Sequence, residues 1–444
     1  MSNHHLTREQ ILAFMLGTPE DNDAVWAHIQ QCDECWEVYE DLAKSDTLAT
    51  VMRSALEHVD DDFDLDELWR GVEADADSEE RDARAADALI LQLAQHPYHE
   101  WMGIVGANPQ ACTAALVQGL IDAATPELDR NPDNALVLLN VAEMVAYTLD
   151  TKASLRSRGY VWKQRSNAYR MAARYDDSID AAYVSEQLFA ELREPDSNFE
   201  IGQARYAMAA TLTKVDRFPA ALRTLKGARE LLEEYGESAP LAKVMMLEAV
   251  ILMQQGDVRV ARETLRELLP VEERLGQQLE VGRVRFNIAE CNLRLGELDA
   301  AMDDAAGAIE IFRSLGNAAE QKRTEWTMVM IRIARGEEAA RDLEPIASFY
   351  EQSGMPGEAG FVTLDLTEYL LKNEEWAKAE FLARGLVNLF IAAGVTLASV
   401  NALHFLRTAV ENREATTETV RYIRTYVSAD DPERPFEPPI LRPN

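Results

Sequence analysis

Glycine stands at residues 236, 256, 276, 296, 316 and 336, one every twenty residues, and the series runs on to Gly354 and Gly394. No other feature of this sequence restricts its fold as much. Just past a helix end Gly is favoured, because it takes the left-handed conformation without steric cost. The intervals between glycines carry apolar residues at helical spacing, such as Leu222, Leu225, Leu231 and Leu232, or Ile309, Ile311 and Phe312. This pattern predicts helices of about 16–18 residues joined by tight turns, two of them making a hairpin of about forty. A hairpin repeated at that period stacks on its neighbours to bury one continuous core.

The hairpin has an internal signature. Small residues step by forty at Ala209, Ala249 and Ala289 on the first helix, and at Ala221, Ala261 and Ala301 on the second. A bulky residue follows the turn at Tyr175, Phe218, Val258, Leu298 and Trp376. Trp162, Ser166 and Tyr169, then Tyr175 and Ser178, have offsets at which large side chains fill holes left by small ones. On these residues, 150–412 resembles the tetratricopeptide repeat family in its longer forty-residue form. The resemblance implies an all-α solenoid of about six hairpins over residues 151–428, with first helices lining a concave groove. The hairpin near 320–355 departs most, keeping Trp326 and Gly336 but shortening its second helix around Pro345. Residues 88–150 are expected to form an irregular helical cap, with helices at 85–94, 110–124 and 135–149.

Segments outside the array differ in composition. Residues 57–87 hold fourteen acids and three bases, so 51–87 reads as an acidic linker with a transient helix at 65–72. The tail over 429–444 carries Pro432, Pro435, Pro438, Pro439 and Pro443, and reads as an unstructured end or a docked polyproline segment. The whole chain has 44 basic and 77 acidic residues, a net charge of −33. That charge opposes direct binding to nucleic acid and to anionic membranes, and favours protein partners. Four cysteines make no disulfide framework, and the N-terminus lacks a signal-peptide pattern. The longest apolar run, 136–149, is broken by Asn140 and Glu143 and is too short for a bilayer. A cytoplasmic location is expected.

His28, Cys32 and Cys35 form the one motif with metal chemistry in it. On a continuous helix they fall within roughly 60° of one another. Two thiolates and an imidazole are ligands that tetrahedral zinc prefers, and the fourth is expected from His4 or His5 upstream. With the upstream histidines and a short helix ending at Gly17, this spacing resembles the zinc-containing anti-sigma factor family over residues 4–45. The resemblance implies a small helical zinc-binding domain within 1–50 that clasps a sigma factor. Its metal ligands would be His5, His28, Cys32 and Cys35, with His4 as the alternative to His5.

Residues 151–175 contain seven bases and no acid. Lys152, Arg156, Lys163 and Arg170 fall in a stripe about 40° wide on a helix, and Lys163 with Asn167 resembles the clamp some tetratricopeptide proteins use for peptide carboxylates. The stripe is either a peptide-binding groove or a solvated face. No phosphate-binding loop, dinucleotide-binding turn, Ser–His–Asp order or carboxylate dyad is visible, so no enzyme is expected. The sequence reads as a regulatory protein-interaction scaffold, its zinc module gripping a sigma factor or another transcription regulator and its array holding a second protein or peptide. The alternative is an adaptor whose zinc domain is only a structural cap or dimerisation element.

Overall fold

The computed structural model describes His5, Leu6, Ile11, His28, Cys32, Cys35 and Val38, residues 65–429 apart from 195 and 237, and residues 434–439. His4, the glycine turn at 17, residues 51–64 of the acidic segment and the rest of the tail lie outside the described residues. Among the described residues every regular element is helical, and no helix is long and apolar enough to cross a membrane. The chain divides into two compact units, residues 1–164 and 165–444.

The first unit is built on α1 (Leu65–Leu93), α2 (Trp101–Gly106), α3 (Ala114–Ala124), α4 (Glu127–Arg130) and α5 (Pro132–Ala146), and it holds the start of α6 (Thr151–Met171). Here α1 replaces both the transient helix at 65–72 and the separate one at 85–94. Its acids are interspersed with Ala74, Ala76, Ala83, Ala85, Ala86 and Ala88, the strongest helix formers. Arg84 pairs with Glu80 one turn earlier. Ala86, Leu89 and Leu93 are buried, so packing as well as propensity holds the helix. Caps correct the other boundaries. Thr113 accepts the Leu116 N–H and starts α3 at Ala114 rather than 110. Asn131 accepts from Asp133 and Asn134 and is followed by Pro132, which starts α5 three residues earlier than expected.

In the second unit the forty-residue period becomes a row of antiparallel hairpins. After α7 (Tyr175–Leu192) they are α8 (Ser197–Lys214) with α9 (Phe218–Glu233), α10 (Ala239–Gln255) with α11 (Val258–Leu275), and α12 (Gln278–Leu295) with α13 (Leu298–Ser314). Next come α14 (Ala318–Ala334) with α15 (Leu343–Gln352), α16 (Pro356–Lys372) with α17 (Trp376–Ala392), and the closing pair α18 (Leu397–Glu411) and α19 (Thr417–Ala429). All six alanines of the two forty-step series are fully buried. All eight glycines of the punctuating series have positive φ, from 66° to 90°. Helices come close enough that a Cβ on Gly282 would stand 2.7 Å from the Phe312 ring. Each fully buried Phe or Leu in these seams contributes about 1.5–3 kcal/mol. Ser178 donates to the Ser166 carbonyl at 2.7 Å, which joins the two small residues of the signature.

Where the period lacks glycine, another residue takes the left-handed turn. Ala173, Asp216 and Glu374 have φ of 56°, 54° and 60°, each two residues before a second helix. A non-glycine residue there costs roughly 1–2 kcal/mol, against roughly 0.5–1 kcal/mol of extra chain entropy for Gly. Ala173→Gly is therefore expected to stabilise the adjacent helices by up to about 1 kcal/mol, read as slower hydrogen exchange in α7.

The two predicted irregularities resolve differently. The hairpin with Pro345 has the expected short second helix, ten residues long, preceded by a 3-10 turn at Ala340–Asp342. Pro345 has no N–H for the carbonyl of Arg341. Within the tail, residues 434–439 are docked rather than unstructured. The Phe436 ring lies 5.2 Å from Tyr426 and 5.7 Å from Phe405, and Tyr422 and Tyr426 donate to the carbonyls of Glu437 and Arg434. Tyrosine hydroxyls can serve the carbonyls of an extended proline-rich strand, because that strand makes no internal hydrogen bonds.

Candidate functional site

At the N-terminus, His5, Cys32 and Cys35 come together with their ligand atoms all within 4.8 Å. His5 Nδ1 lies 3.2 Å from Cys32 Sγ, and the Leu6 N–H donates to Cys35 Sγ at 3.3 Å. Cys35 is buried and His5 exposed. The sequence reading is corrected in one respect, because a single helix does not carry the motif. His28 and Cys35 are helical, but Cys32 is not. Cys32 acts as a cap instead, its sulfur accepting the Cys35 N–H three residues on, and this bond, with a second from His5, holds its thiol below the usual range. His28 is not among the residues of this close group, and its buried Nε2 makes no hydrogen bond among the described residues.

These residues fit a zinc ion. Tetrahedral zinc with sulfur at about 2.3 Å and nitrogen at about 2.0 Å places its ligands roughly 3.5–3.8 Å apart, and the 4.8 Å cluster needs only a small contraction. The N–H donated to Cys35 is the kind of outer bond that orients a thiolate ligand. By contrast, Cys291 is a fully buried core thiol, pushed up to about 11 by burial.

The basic stripe on α6 forms less of a site than its spacing suggested. Lys152 and Arg156 are exposed, and the Lys163 ammonium sits 4.9 Å above the Tyr160 ring. Asn167 accepts from Arg170 at 3.4 Å, so its carbonyl oxygen is already engaged. Arg165, part of the same basic run, is buried at 6 % exposure.

A better-formed concavity lies in the second unit, on the first helices of successive hairpins. It is a cavity of about 450 Å³ lined from α12, α14 and α16 and from the last helix, α19. Phe286, Glu290 and Arg294 descend one face of α12, and Arg323, Trp326 and Met330 one face of α14. The Arg323 guanidinium stacks over Phe286 at 4.5 Å, and Thr327 donates to Glu290 at 2.6 Å. At the wall, Asp365 is buried and holds two donors. Trp326 Nε1 reaches Oδ2 at 2.8 Å, and Arg424 pairs with Oδ1. Burial pushes the Asp365 carboxyl up to about 6, even though Arg424 pulls the other way. Aromatic faces and paired charges suit an extended peptide, which presents amides and alternating side chains. Sequence reasoning missed this site. A signal was present, since Phe286 and Trp326 are forty residues apart, as are Glu290 and Met330.

No family model matches the chain, and no curated protein matches it. Solved structures do. Aspartyl phosphate phosphatase F from Bacillus subtilis is 14 % identical, with 88 % of this chain and 96 % of that one covered and a TM-score of 0.53. The apo form of RapI is 10 % identical over 63 % of this chain and 98 % of its own, with a TM-score of 0.52. A Rap protein complexed with competence and sporulation factor is 16 % identical over 84 % and 99 %, with a TM-score of 0.50. At such identities the likeness establishes the fold, a tetratricopeptide-like array of helical hairpins.

Proposed function

We propose that the chain is a regulatory protein-interaction scaffold, without catalytic activity of its own, whose array holds a protein segment in the cavity lined by α12, α14, α16 and α19. The observation that carries this reading is the convergence of Arg294, Arg323, Trp326 and the Asp365–Arg424 pair on that cavity. A Rap protein of similar fold, complexed with competence and sporulation factor, offers a parallel for ligand binding by such an array. The test is affinity capture from native cells with the full chain and with Arg323→Glu plus Trp326→Ala. Partners retained by the first are expected to be lost by the second. Equal retention would count against the site.

In this reading the N-terminal cluster holds zinc through His5, Cys32 and Cys35, with His28 or His4 as the fourth ligand, and grips a sigma factor or another transcription regulator. Bound zinc would contribute folding free energy by tying these distant residues together. Purified under reducing conditions without chelators, the protein is expected to carry about one zinc per chain. Cys32→Ser with Cys35→Ser should bring that near zero while the helical signal of the array persists. A metal-free wild type would remove the zinc reading. Metal loss with undiminished sigma-factor capture would instead reduce the cluster to a structural cap.

A further inference from the structure

In the hairpin of α14 and α15 the second helix starts late, and a gap lies beside its start. In a regular hairpin the second helix starts two residues after the left-handed glycine, as Val258 follows Gly256 and Leu298 follows Gly296. After Gly336 the α-helix does not begin until Leu343, and the five residues that would make its first one and a half turns form instead a bend and the 3-10 turn at Ala340–Asp342. A cavity of about 680 Å³ lies there, lined by Glu338, Arg341 and Glu344 on one side and by Leu366, Leu370 and Phe381 on the other. Leu366 and Leu370 are 5 % and 6 % exposed and form an apolar floor.

Phe381 gives the second, independent observation. It is 77 % exposed, more than any other large apolar side chain among the described residues. It stands five residues into α17, and the residues at the same place in α7, α9, α11 and α13 are Asp180, Arg223, Glu263 and Asp303, all exposed and charged. In these four helices the repeat assigns this place to solvent, and in α17 it carries an exposed aromatic ring. A solitary exposed apolar residue needs no explanation, but an exposed ring beside an apolar-floored cavity of this size marks a contact surface.

We infer that this cavity is the docking site for a short amphipathic helix of a partner protein, with two large apolar side chains one turn apart and basic flanks. A helix is the occupant that suits an elongated apolar floor formed by one helix face, Leu366 and Leu370 one turn apart, and helix-in-groove recognition uses anchors at such spacing. Charge sets the flanks. Lys378 at the rim is paired with Glu375, and the remaining rim charges, Glu338 and Glu344 against Arg341, leave an acidic excess. The surface shares no residue with the first-helix cavity described above.

The test uses the full chain and two synthetic stapled helices with leucines at i and i+4, one flanked by lysines and one by glutamates, read by fluorescence anisotropy. The basic helix is expected to bind at least about tenfold more tightly than the acidic one, and Phe381→Glu to weaken it at least about tenfold. Since the sibling helices carry charges at this place, Phe381→Glu should leave the unfolding midpoint unchanged. The substitution adds a negative charge, so nonspecific attraction of a basic peptide to this acidic chain would grow, not fall. Equal binding to wild type and Phe381→Glu overturns the proposal, as does equal binding of the two peptides. A wild-type dimer that Phe381→Glu converts to monomer would assign the surface to self-association and overturn it as well.

Discussion

Arg424→Met is expected to destabilise the end of the array by about 2–4 kcal/mol at neutral pH. Removing one partner of a buried ion pair leaves the other charge uncompensated, typically at a cost of about 3–5 kcal/mol. Arg424 is one-third exposed, so the lower part of that range applies. The partner left behind, Asp365, would keep only the Trp326 N–H. The effect should depend on pH in a defined sense. The folded Asp365 carboxyl is pushed up to about 6, above its ordinary value of about 3.9. The folded state therefore holds this proton more tightly, and the group's contribution to stability falls as pH rises from about 4 to about 6. Without Arg424 the carboxyl would move higher still, so the penalty should shrink toward pH 4 and grow as pH rises above about 6. Asp365→Asn removes the charge but keeps an acceptor for Trp326, and should flatten the pH dependence. Hydrogen exchange over residues 318–429 at the two pH values reads both variants. A penalty unchanged by pH would show that the loss is one of packing alone.

Glu272→Leu should act the other way and stabilise the middle of the array by about 1–3 kcal/mol, the typical cost of a buried polar group without a partner. Glu272 occupies the place in α11 that Leu232 fills in α9 and Phe312 fills in α13, both fully buried. It is itself 3 % exposed, and its Oε2 makes no hydrogen bond. Burial pushes its carboxyl up, Glu280 on α12 adds to that, and Lys243 on α10 opposes it. The folded state again favours the protonated form, so the cost of Glu272 grows as pH rises above about 4.3. The gain from leucine should therefore be larger at pH 8 than at pH 4.5. Glu272→Gln tests the charge by itself. Denaturant midpoints that fail to rise in either variant would show that the acid is solvated by breathing of the hairpin.

What could be read beforehand follows from which forces act locally. Glycine punctuation is a local steric requirement, so the left-handed turns at 236 through 394 were visible in the sequence. The alanine series was visible because helix approach excludes larger side chains at a fixed period. Composition misled over 65–93, where the acids obscured an alanine-rich helix that buries Ala86, Leu89 and Leu93. At His28, Cys32 and Cys35 the angular argument assumed an unbroken helix, and Cys32 is not helical. The Asp365–Arg424 pair joins residues 59 apart, beyond any periodicity. Glu272 and Phe381 are different. The forty-residue register exposes each as the wrong residue type for its place, an acid in a core column and a phenylalanine in a solvent column.

The claim that the first-helix cavity holds a protein ligand is tested most directly by photo-crosslinking in native cells. The full chain would carry p-benzoylphenylalanine in place of Met330, which lines the cavity, or in place of Asp303, an exposed residue of α13. The expected result is a discrete adduct with another protein from position 330, absent from position 303 and lost when Arg323 is changed to Glu. No adduct at 330, or the same adducts from both positions, would contradict the assignment.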